Sequence, residues 1–338
     1  MKTIVVTGCN GFIGSNVIEK LFKTKFYDEE FKIIGSDLPI SCQREISKKF
    51  SDKLLYSYVN YEDLEHKLNA LKYLPDAIIH NGACSSTTET DPEIFKKLNV
   101  DYSKMLWNFC VKNSVPFIYA SSAAVYGDGS LGFSDKKEDC YKYTSLNLYG
   151  KSKLDFDQWV LEQTKTPSIW FGLRYFNVYG QYESHKKGQA SMVYHGFFQA
   201  KDSGKIRLFQ SNTKKYTDGN QLRDFIYIDD IVEITMKLLK YSFEYKGSQT
   251  KLENDGLFLN LGTGVARTWN SLAESVFSAL KLKSNLEYIP IPNNIVHQYQ
   301  NFTCADLSSL MNLSLNHSFF TLESGVKKYV TEYLVKGL

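Results

Sequence analysis

The stretch KTIVVTGCNGFIG, residues 2–14, decides the fold of this 338-residue chain. Its first six residues are mostly apolar and β-branched, which is typical of a buried strand in a parallel sheet. Three glycines follow at a Gly-x-x-Gly-x-x-Gly spacing, and a helical pattern runs on to about Lys23. A second apolar strand, residues 31–35, is followed by Ser36 and Asp37. This order of strand, glycine-rich turn, helix, strand and acidic residue predicts a dinucleotide-binding unit.

Each glycine of the turn has its own physical role in that prediction. Gly8 permits a tight turn, Gly11 lets the backbone approach a pyrophosphate, and Gly14 lets the helix pack closely on the strand. The N-terminus of the helix offers amide donors and positive partial charge to the phosphates. Asp37 would accept a hydrogen bond from a free ribose hydroxyl, which favours NAD as the cofactor.

The composition excludes several other classes of protein. Hydrophobic residues make up 43% of the chain and charged residues 23%, which is ordinary for a globular protein. A formal net charge of +3 without a basic run argues against a nucleic-acid partner. No apolar run is long enough to cross a membrane. The six cysteines form no Cys-x-x-Cys pair, so we expect reduced thiols in a cytoplasmic protein and no metal site.

Strand and helix patterns alternate through the first half of the chain. Strands are predicted at residues 77–80, 116–120 and 168–174, and helices at about 93–114 and 148–163. Such alternation predicts the α/β class, with a Rossmann-type, doubly wound parallel sheet. Ligands of such sheets bind at the carboxyl ends of the strands.

The second half is predicted to form a smaller domain. We place the dinucleotide-binding Rossmann domain at residues 1–176 and a mainly substrate-binding α/β domain at residues 177–338. The pattern becomes irregular after about Asn177, where Gly, Asn, Ser and Gln increase. A segment near residues 224–241 has a strand and helix pattern, and we expect it to return to the Rossmann sheet.

A Tyr-x-x-x-Lys pair, Tyr149 and Lys153, supplies candidate chemistry. Side chains four apart lie on one face of a helix. A tyrosine is a poor base because its ordinary pKa is about 10, and a nearby cation favours the phenolate. Ser122 follows a predicted strand and could pass a proton from an alcohol to Tyr149. Taken alone, the pair is a common coincidence on helices, and a serine at a strand end more often satisfies backbone groups.

Several blocks of the sequence resemble the ADP-L-glycero-D-manno-heptose 6-epimerase family, which belongs to the extended short-chain dehydrogenases of the NAD-dependent epimerase/dehydratase group. The blocks are HNGACSSTTE at 80–89, YASSAAVYG at 119–127 and GLRYFNVYG at 172–180. The match covers nearly the whole chain, and its most specific parts are Ala-Cys-Ser-Ser-Thr-Thr-Glu and His185-Lys186. Where that family has a small Ser near the sugar, this chain has Gly188 or Gln189.

The resemblance implies a role for each matching residue. Tyr149 would be one acid/base, Lys153 would lower its pKa and hold the nicotinamide ribose, and Ser122 would bind the reacting oxygen. Lys186 would be the second acid/base, although Lys187 is open as an alternative. The dinucleotide would contact Gly8, Gly11, Phe12, Ile13, Gly14, Asp37, Leu38, Arg44, Asn81, Gly82, Ala83, Cys84, Ser85, Asn99, Lys153, Val178 and Lys186. The substrate would contact Ser122, Asn177, His195, Phe209, Gln210, Ser211, Asn212, Arg223 and Tyr299.

The implied activity is an isomerase reaction without net redox change. It would invert carbon 6 of the heptose in ADP-D-glycero-D-manno-heptose by transient oxidation and re-reduction with a tightly bound nicotinamide cofactor. The resemblance implies NADP, with Arg44 as the partner of the additional phosphate, whereas Asp37 alone favours NAD. It also implies a homo-oligomer and a step in lipopolysaccharide core biosynthesis.

Three other functions compete with this prediction. A 4,6-dehydratase would place a carboxylate after the strand-end serine, where this chain has Ala123 and Ala124. A UDP-sugar 4-epimerase shares Ser, Tyr and Lys and is harder to exclude. A non-catalytic dinucleotide sensor would not need Ser122, Tyr149 and Lys153 together.

Overall fold

A parallel seven-stranded sheet forms the centre of the protein. The computed structural model describes residues 1–24, 30–39, 55–245, 255–293 and 295–337, so Arg44 lies outside the described residues. Numbered along the chain, the strands of this sheet are β1 (Lys2–Thr7), β2 (Phe31–Asp37), β3 (Tyr56–Asn60), β4 (Ala77–His80), β5 (Phe117–Ser122), β6 (Trp170–Tyr175) and β10 (Gly256–Leu261). Their spatial order is β10-β6-β5-β4-β1-β2-β3, and every neighbouring pair is parallel.

Helices cover both faces of this sheet. Along the chain, the helices of the described residues are α1 (Phe12–Lys23), α2 (Leu64–Asn69), α3 (Pro92–Phe95), α4 (Tyr102–Asn113), α5 (Leu148–Leu161), α6 (Met192–Ser203), α7 (Ile228–Glu244), α8 (Trp269–Leu280), α9 (Ser308–Asn312) and α10 (Leu322–Tyr329). Because successive side chains of a strand point to opposite faces, β1 packs on two cores. Ile4 packs with Val17 of α1 in one core, and Val5 packs with Trp107 of α4 in the other. The predicted α/β class and doubly wound sheet are therefore confirmed.

Two small sheets stand beside the main one. The strands β7 (Asn177–Tyr179), β9 (Leu222–Tyr227) and β11 (Ala266–Thr268) form the first, in the order β11-β9-β7. The strands β8 (Ile206–Phe209) and β12 (Leu286–Ile289) form the second, as a parallel pair. These pairings join strands that are far apart in sequence, and they position the residues predicted to bind substrate.

The segment near 224–241 differs from its prediction. Its strand, β9, pairs with β7 and β11 and not with the Rossmann sheet, because β10 occupies the edge beside β6. Its helix, α7, does pack against α1, where Lys20 and Glu233 form an ion pair at 2.8 Å. The division at residue 176 is still a prediction, and β10 shows that the second half of the chain completes the main sheet.

A helix must be both long and apolar to cross a lipid bilayer. Within the described ranges, none combines the length and the apolar character needed to cross one.

Candidate active site

The predicted site residues gather at the carboxyl end of the main sheet. Gly8 directly follows β1, Asn81 follows β4, and Ser122 is the last residue of β5. The three strands are parallel neighbours, so their carboxyl ends meet at one edge. Tyr149 and Lys153 reach the same edge from α5, which begins at Leu148.

The glycine turn packs tightly against neighbouring backbone. Gly8 has a φ of +64°, and a Cβ there would stand 2.7 Å from the carbonyl carbon of Asn81. A Cβ on Gly14 would stand 2.1 Å from the carbonyl oxygen of Gly8. The turn closes where the amide of Gly11 donates to that same oxygen at 2.9 Å. Since α1 begins at Phe12 without a side-chain cap among the described residues, its first amides are available to phosphate oxygens.

Asp37 lies directly against the glycine turn. Its carboxylate accepts the amide of Asn10 at 2.9 Å and the amide of Leu38 at 2.8 Å. The contact with Asn10 joins the end of β2 to the turn after β1, as the sequence order predicted. The carboxylate oxygens have further lone pairs with which to accept ribose hydroxyls. Leu38 itself is exposed at the sheet edge.

The loop after β4 faces the turn and supplies an unused polar group. The side-chain amide nitrogen of Asn81 is buried and has no hydrogen-bond partner among the described residues, and its oxygen accepts from Tyr175 at 3.3 Å. A buried donor without a partner is costly, so this atom fits a site whose ligand accepts a hydrogen bond. Together with the uncapped first turn of α1, it shows that the residues present fit a dinucleotide.

Asn99 holds that loop against helix α5. It lies in a π-helical segment, Lys96–Asp101, that joins α3 to α4. Its side chain accepts the amide of Cys84 at 2.8 Å and donates to the carbonyl of Cys84 at 3.0 Å and to Ser152 Oγ at 2.8 Å. Ser152 stands between Tyr149 and Lys153, so Asn99 ties the loop to the helix that carries the acid/base pair. Insertions of this π type are common at functional sites.

Ser122 lies beside Tyr149 and influences its pKa. Burial raises the pKa of the Tyr149 phenol above its ordinary value, and the neighbouring Ser122 hydroxyl lowers it part of the way back. The Oγ of Ser122 also accepts the amide of Ala124 at 3.1 Å, which fixes its direction. The structure thus brings the strand-end serine and the tyrosine together, and the passage of a proton between them is still a prediction.

Lys153 binds the backbone of the neighbouring strand. Its Nζ donates to the carbonyl oxygen of Ala120 at 2.7 Å, and burial lowers its own pKa to about 8. Its predicted effect on the pKa of Tyr149 is still a prediction. Its depressed pKa leaves the ammonium close to neutralisation near pH 8.

Lys186 and Lys187 have contrasting environments. Lys186 is half-buried, and its Nζ stands 5.2 Å from the ring centroid of Phe12 at the start of α1. Burial lowers the pKa of Lys186, and the buried carboxylate of Glu183 opposes that shift. Lys187 is exposed and has a φ of +50°. Of the two lysines, the structure thus brings Lys186 to the glycine turn.

A second cluster contains residues predicted to hold the substrate. The guanidinium of Arg223 stands 5.1 Å from the ring centroid of Tyr299, and the rings of Tyr299 and Phe209 are 6.0 Å apart. Arg223 is only 5% exposed, and burial lowers its pKa to about 10. Among the described residues, its Nη1 donates to the carbonyl of Leu222 at 2.9 Å, and its other donors can serve an anionic ligand.

The other predicted residues occupy the surroundings of these two clusters. Asn177 accepts from Thr303 at 3.4 Å, and His195 is half-buried on α6. The amide of Ser211 donates to Asp218 at 2.8 Å, which shapes the loop after β8. The remaining predicted positions are exposed or half-buried: Ile13, Gly82, Ala83, Ser85, Val178, Gln210 and Asn212.

Known proteins match this chain over nearly its full length. Residues 4–249 match the model of the family described as NAD dependent epimerase/dehydratase. ADP-L-glycero-D-manno-heptose-6-epimerase of Fusobacterium nucleatum is 36% identical over 98% of both chains. The protein of that name in Nitratidesulfovibrio vulgaris is 38% identical over 98% of this chain and 97% of its own. The chain belongs to the NAD dependent epimerase/dehydratase family.

A solved structure of this family agrees with the fold. The Helicobacter pylori ADP-L-glycero-D-manno-heptose-6-epimerase has a TM-score of 0.77 with this chain at 26% identity, and the match covers 100% of this chain and 97% of the other. The predicted resemblance is confirmed, and with it the prediction that this family member is an epimerase and hence an isomerase.

Two contacts of this epimerase were missed by the sequence prediction. The guanidinium of Arg223 also stands 5.7 Å from the ring centroid of Trp269, and the amide of Gln189 donates to Ser86 at 3.0 Å. Trp269 is far from Arg223 in sequence, and no local pattern connects them. For Gln189, the absence of the expected small Ser was a signal, but its partner in the loop after β4 was not predictable.

Proposed function

We propose that this epimerase inverts carbon 6 of the heptose in ADP-D-glycero-D-manno-heptose by oxidising that carbon and then reducing it on the other face. The names of the relatives at 36–38% identity support the substrate. One observation carries the chemistry: Ser122 and Tyr149 lie together on the side of α5 that holds Lys153, while Lys186 approaches the glycine turn. Two acid/base groups near one cofactor site suit an inversion in which each face of the planar carbon has its own proton donor.

The first half of the reaction needs a proton acceptor. Tyr149 would take the proton of the hydroxyl on carbon 6, while Ser122 donates a hydrogen bond to the same oxygen. The Lys153 ammonium would hold a ribose and place positive charge near the phenolate as it forms. A nicotinamide bound beside them supplies reversible acceptance of a hydride. The residues above fit such a group, because α1 begins without a side-chain cap and the buried Asn81 amide nitrogen has no partner among the described residues.

The second half needs a donor on the opposite face of the carbon. Once the oxidised sugar has turned within the site, its carbonyl oxygen would face Lys186 in place of Tyr149. Burial lowers the pKa of Lys186, which makes proton donation easier than from an ordinary lysine. The pairing of one phenol with one amine supports the inversion, and Lys187 is too exposed to serve.

We propose NADP as the cofactor, bound tightly through the cycle. The family description names NAD, and Asp37 beside the glycine turn is compatible with a free ribose hydroxyl. The preference for NADP rests on the resemblance and on Arg44. Release of the bound dinucleotide by denaturation, followed by mass spectrometry, tests this choice. NAD as the sole released cofactor would refute NADP without touching the epimerase chemistry.

We further propose that Arg223, Tyr299 and Phe209 hold the nucleotide part of the substrate. A buried guanidinium with unused donors suits a diphosphate, and the two aromatic rings suit a base or a ribose face. We also propose a cytoplasmic homo-oligomer that supplies a heptose to lipopolysaccharide core synthesis. Size-exclusion chromatography with light scattering tests the oligomer.

The decisive experiment follows the substrate directly. The protein is incubated with ADP-D-glycero-D-manno-heptose, and the 6-epimer is followed by NMR, with UDP-galactose in a parallel sample. We expect equilibration of the heptose epimers and no conversion of UDP-galactose. Turnover of UDP-galactose alone would favour a 4-epimerase. No turnover of either substrate by folded, cofactor-loaded protein would favour a dinucleotide sensor.

A further inference from the structure

A buried ion pair lies directly behind the acid/base residues. Asp157 of α5 and Arg174 of β6 are both fully buried, and Arg174 Nε donates to Asp157 Oδ2 at 3.0 Å. Removing two charges from water is costly, and a hydrophobic pair of the same volume would often stabilise the fold as well. Fold stability alone therefore explains this buried ion pair poorly, and its position beside the acid/base residues indicates a role in the active site.

Asp157 joins the two elements that carry the site. Tyr119 OH donates to its Oδ1 at 3.0 Å, and Ser121 Oγ donates to its Oδ2 at 2.9 Å, so two residues of β5 bind one carboxylate. Ser121 immediately precedes Ser122. Asp157 itself is one helical turn beyond Lys153 and two beyond Tyr149, on the same side of α5. The carboxylate thus fixes the end of β5 against the face of α5 that holds the acid/base pair.

Arg174 binds the Asp157 carboxylate from the neighbouring strand β6. Its Nη1 donates to Tyr126 OH at 3.1 Å and to the carbonyl of Ser134 at 3.3 Å, and its Nη2 donates to Cys140 Sγ at 3.4 Å. Tyr126 OH donates to Asn260 Oδ1 at 2.6 Å, which extends the network to β10. These contacts leave the guanidinium little freedom, so the position of Asp157 is set by three strands of the sheet.

The charge of Asp157 also reaches Lys153. Burial lowers the pKa of Lys153 to about 8, and Asp157 and Cys84 oppose that shift. The other charged or titratable groups around the two residues are His80, which faces Lys153, and Tyr119, Cys140 and Arg174, which face Asp157. His80 is neutral, because burial lowers its pKa to about 3. Asp157 is hence the carboxylate among the described groups that supports the Lys153 cation.

We infer that Asp157, held by Arg174, is a positioning residue for the epimerase reaction: it aligns Ser122 with Tyr149 and places a carboxylate one helical turn from Lys153. This inference rests on the proposed function of the Ser122, Tyr149 and Lys153 group. It assigns the buried pair a role in catalysis that hydrophobic residues of equal volume could not fill.

Asp157→Asn tests the electrostatic part. Asparagine keeps the shape and can still accept hydrogen bonds, but it removes the charge. The falling limb of the kcat profile at high pH should move to lower pH by about one unit, because Lys153 then loses its proton more easily. The matched control is Asp155→Asn on the same helix, where Asp155 is exposed and pairs with Lys151 at 2.7 Å. That control should leave the limb unmoved, and a folded Asp157→Asn variant with an unmoved limb would overturn the inference.

Ser121→Ala tests the alignment and serves if Asp157→Asn does not fold, because it leaves the ion pair intact. We expect kcat to fall about fivefold with KM unchanged, since Ser122 loses a restraint. An unchanged kcat in folded Ser121→Ala would overturn the alignment role. NMR titration of the ¹⁵N-labelled Lys153 side chain reports the Asp157 effect without any substrate. A wild type without epimerase activity would therefore refute the proposed function while the titration still decides this inference.

Discussion

The two proposed acid/base groups lie on contrasting kinds of secondary structure. Tyr149 lies near the start of α5, a helix of 14 residues whose N-cap, Asn147, accepts the amide of Gly150 at 2.8 Å. Lys186 lies on a short 3₁₀ turn, Ser184–Gln189, that is interrupted by a non-helical backbone at Lys187. The helix that carries Tyr149 is regular and is held by local hydrogen bonds. The turn that carries Lys186 depends on contacts between residues that are distant in sequence.

This difference shows how the same chemistry can be visible or hidden in a sequence. A helix repeats every 3.6 residues, so the spacing of Tyr149 and Lys153 alone indicates that they share a face. The turn of Lys186 has no such period. It is held by Glu183, whose buried carboxylate accepts Ser191 Oγ at 2.6 Å, and by the contact of Gln189 with Ser86. Irregular supports of this kind are recognisable only in the folded chain.

Tyr149→Phe should have the largest effect on activity. The substitution removes the phenolic oxygen that exchanges a proton with the substrate, so we expect kcat to fall about 10²–10⁴-fold. The thermal unfolding temperature should change little, because the ring is kept. NMR of the heptose epimers measures the rate. The control is Tyr141→Phe, which removes an exposed hydroxyl near the same helix and should keep full activity. Epimerisation at the full rate in Tyr149→Phe would refute the mechanism.

Lys186→Met should have the next largest effect on activity, and it tests the acid/base group that lies on the irregular turn. We expect kcat to fall about 10²-fold or more, because a positioned acid/base contributes that much. Lys187→Met is the matched control, since its exposed side chain should contribute nothing. If Lys187→Met were the damaging change, the assignment of the second group would have to move by one residue.

The regular elements of the site were predicted well from the sequence. The strand, turn and helix around Gly8 and Gly14 follow from steric limits on these two glycines. A Cβ added to Gly8 would stand 2.7 Å from the backbone of Asn81, and one added to Gly14 would stand 2.1 Å from the carbonyl oxygen of Gly8. The small sheet of β7, β9 and β11 was not predictable, because its strands come from three distant parts of the chain. The direction of the Lys153 ammonium was also missed, since helical spacing fixes which face a side chain occupies and not which acceptor it finds.

The pH dependence should reveal the smaller influence of Lys153. The folded-state pKa of Lys153 is about 8, so its cation predominates below that pH and is lost above it. If the cation is needed beside Tyr149, kcat should fall by up to about tenfold per unit above pH 8. Rates between pH 6 and 10 measure this limb, with far-UV circular dichroism at each pH as the control for folding. A rate that stays constant to pH 10 would show that the Lys153 charge is dispensable.

The smallest effect should come from the contact that steadies the Lys186 turn. Gln189→Ala removes the donor to Ser86 Oγ and should lower kcat about threefold to tenfold, because Lys186 is then less well placed. Ser86→Ala removes the acceptor of the same hydrogen bond. If the bond itself matters, the double variant should be no slower than the slower single variant, since coupled residues are not additive. Additive losses would mean that each side chain acts separately, and the turn would then owe its position to Glu183 and Ser191 alone.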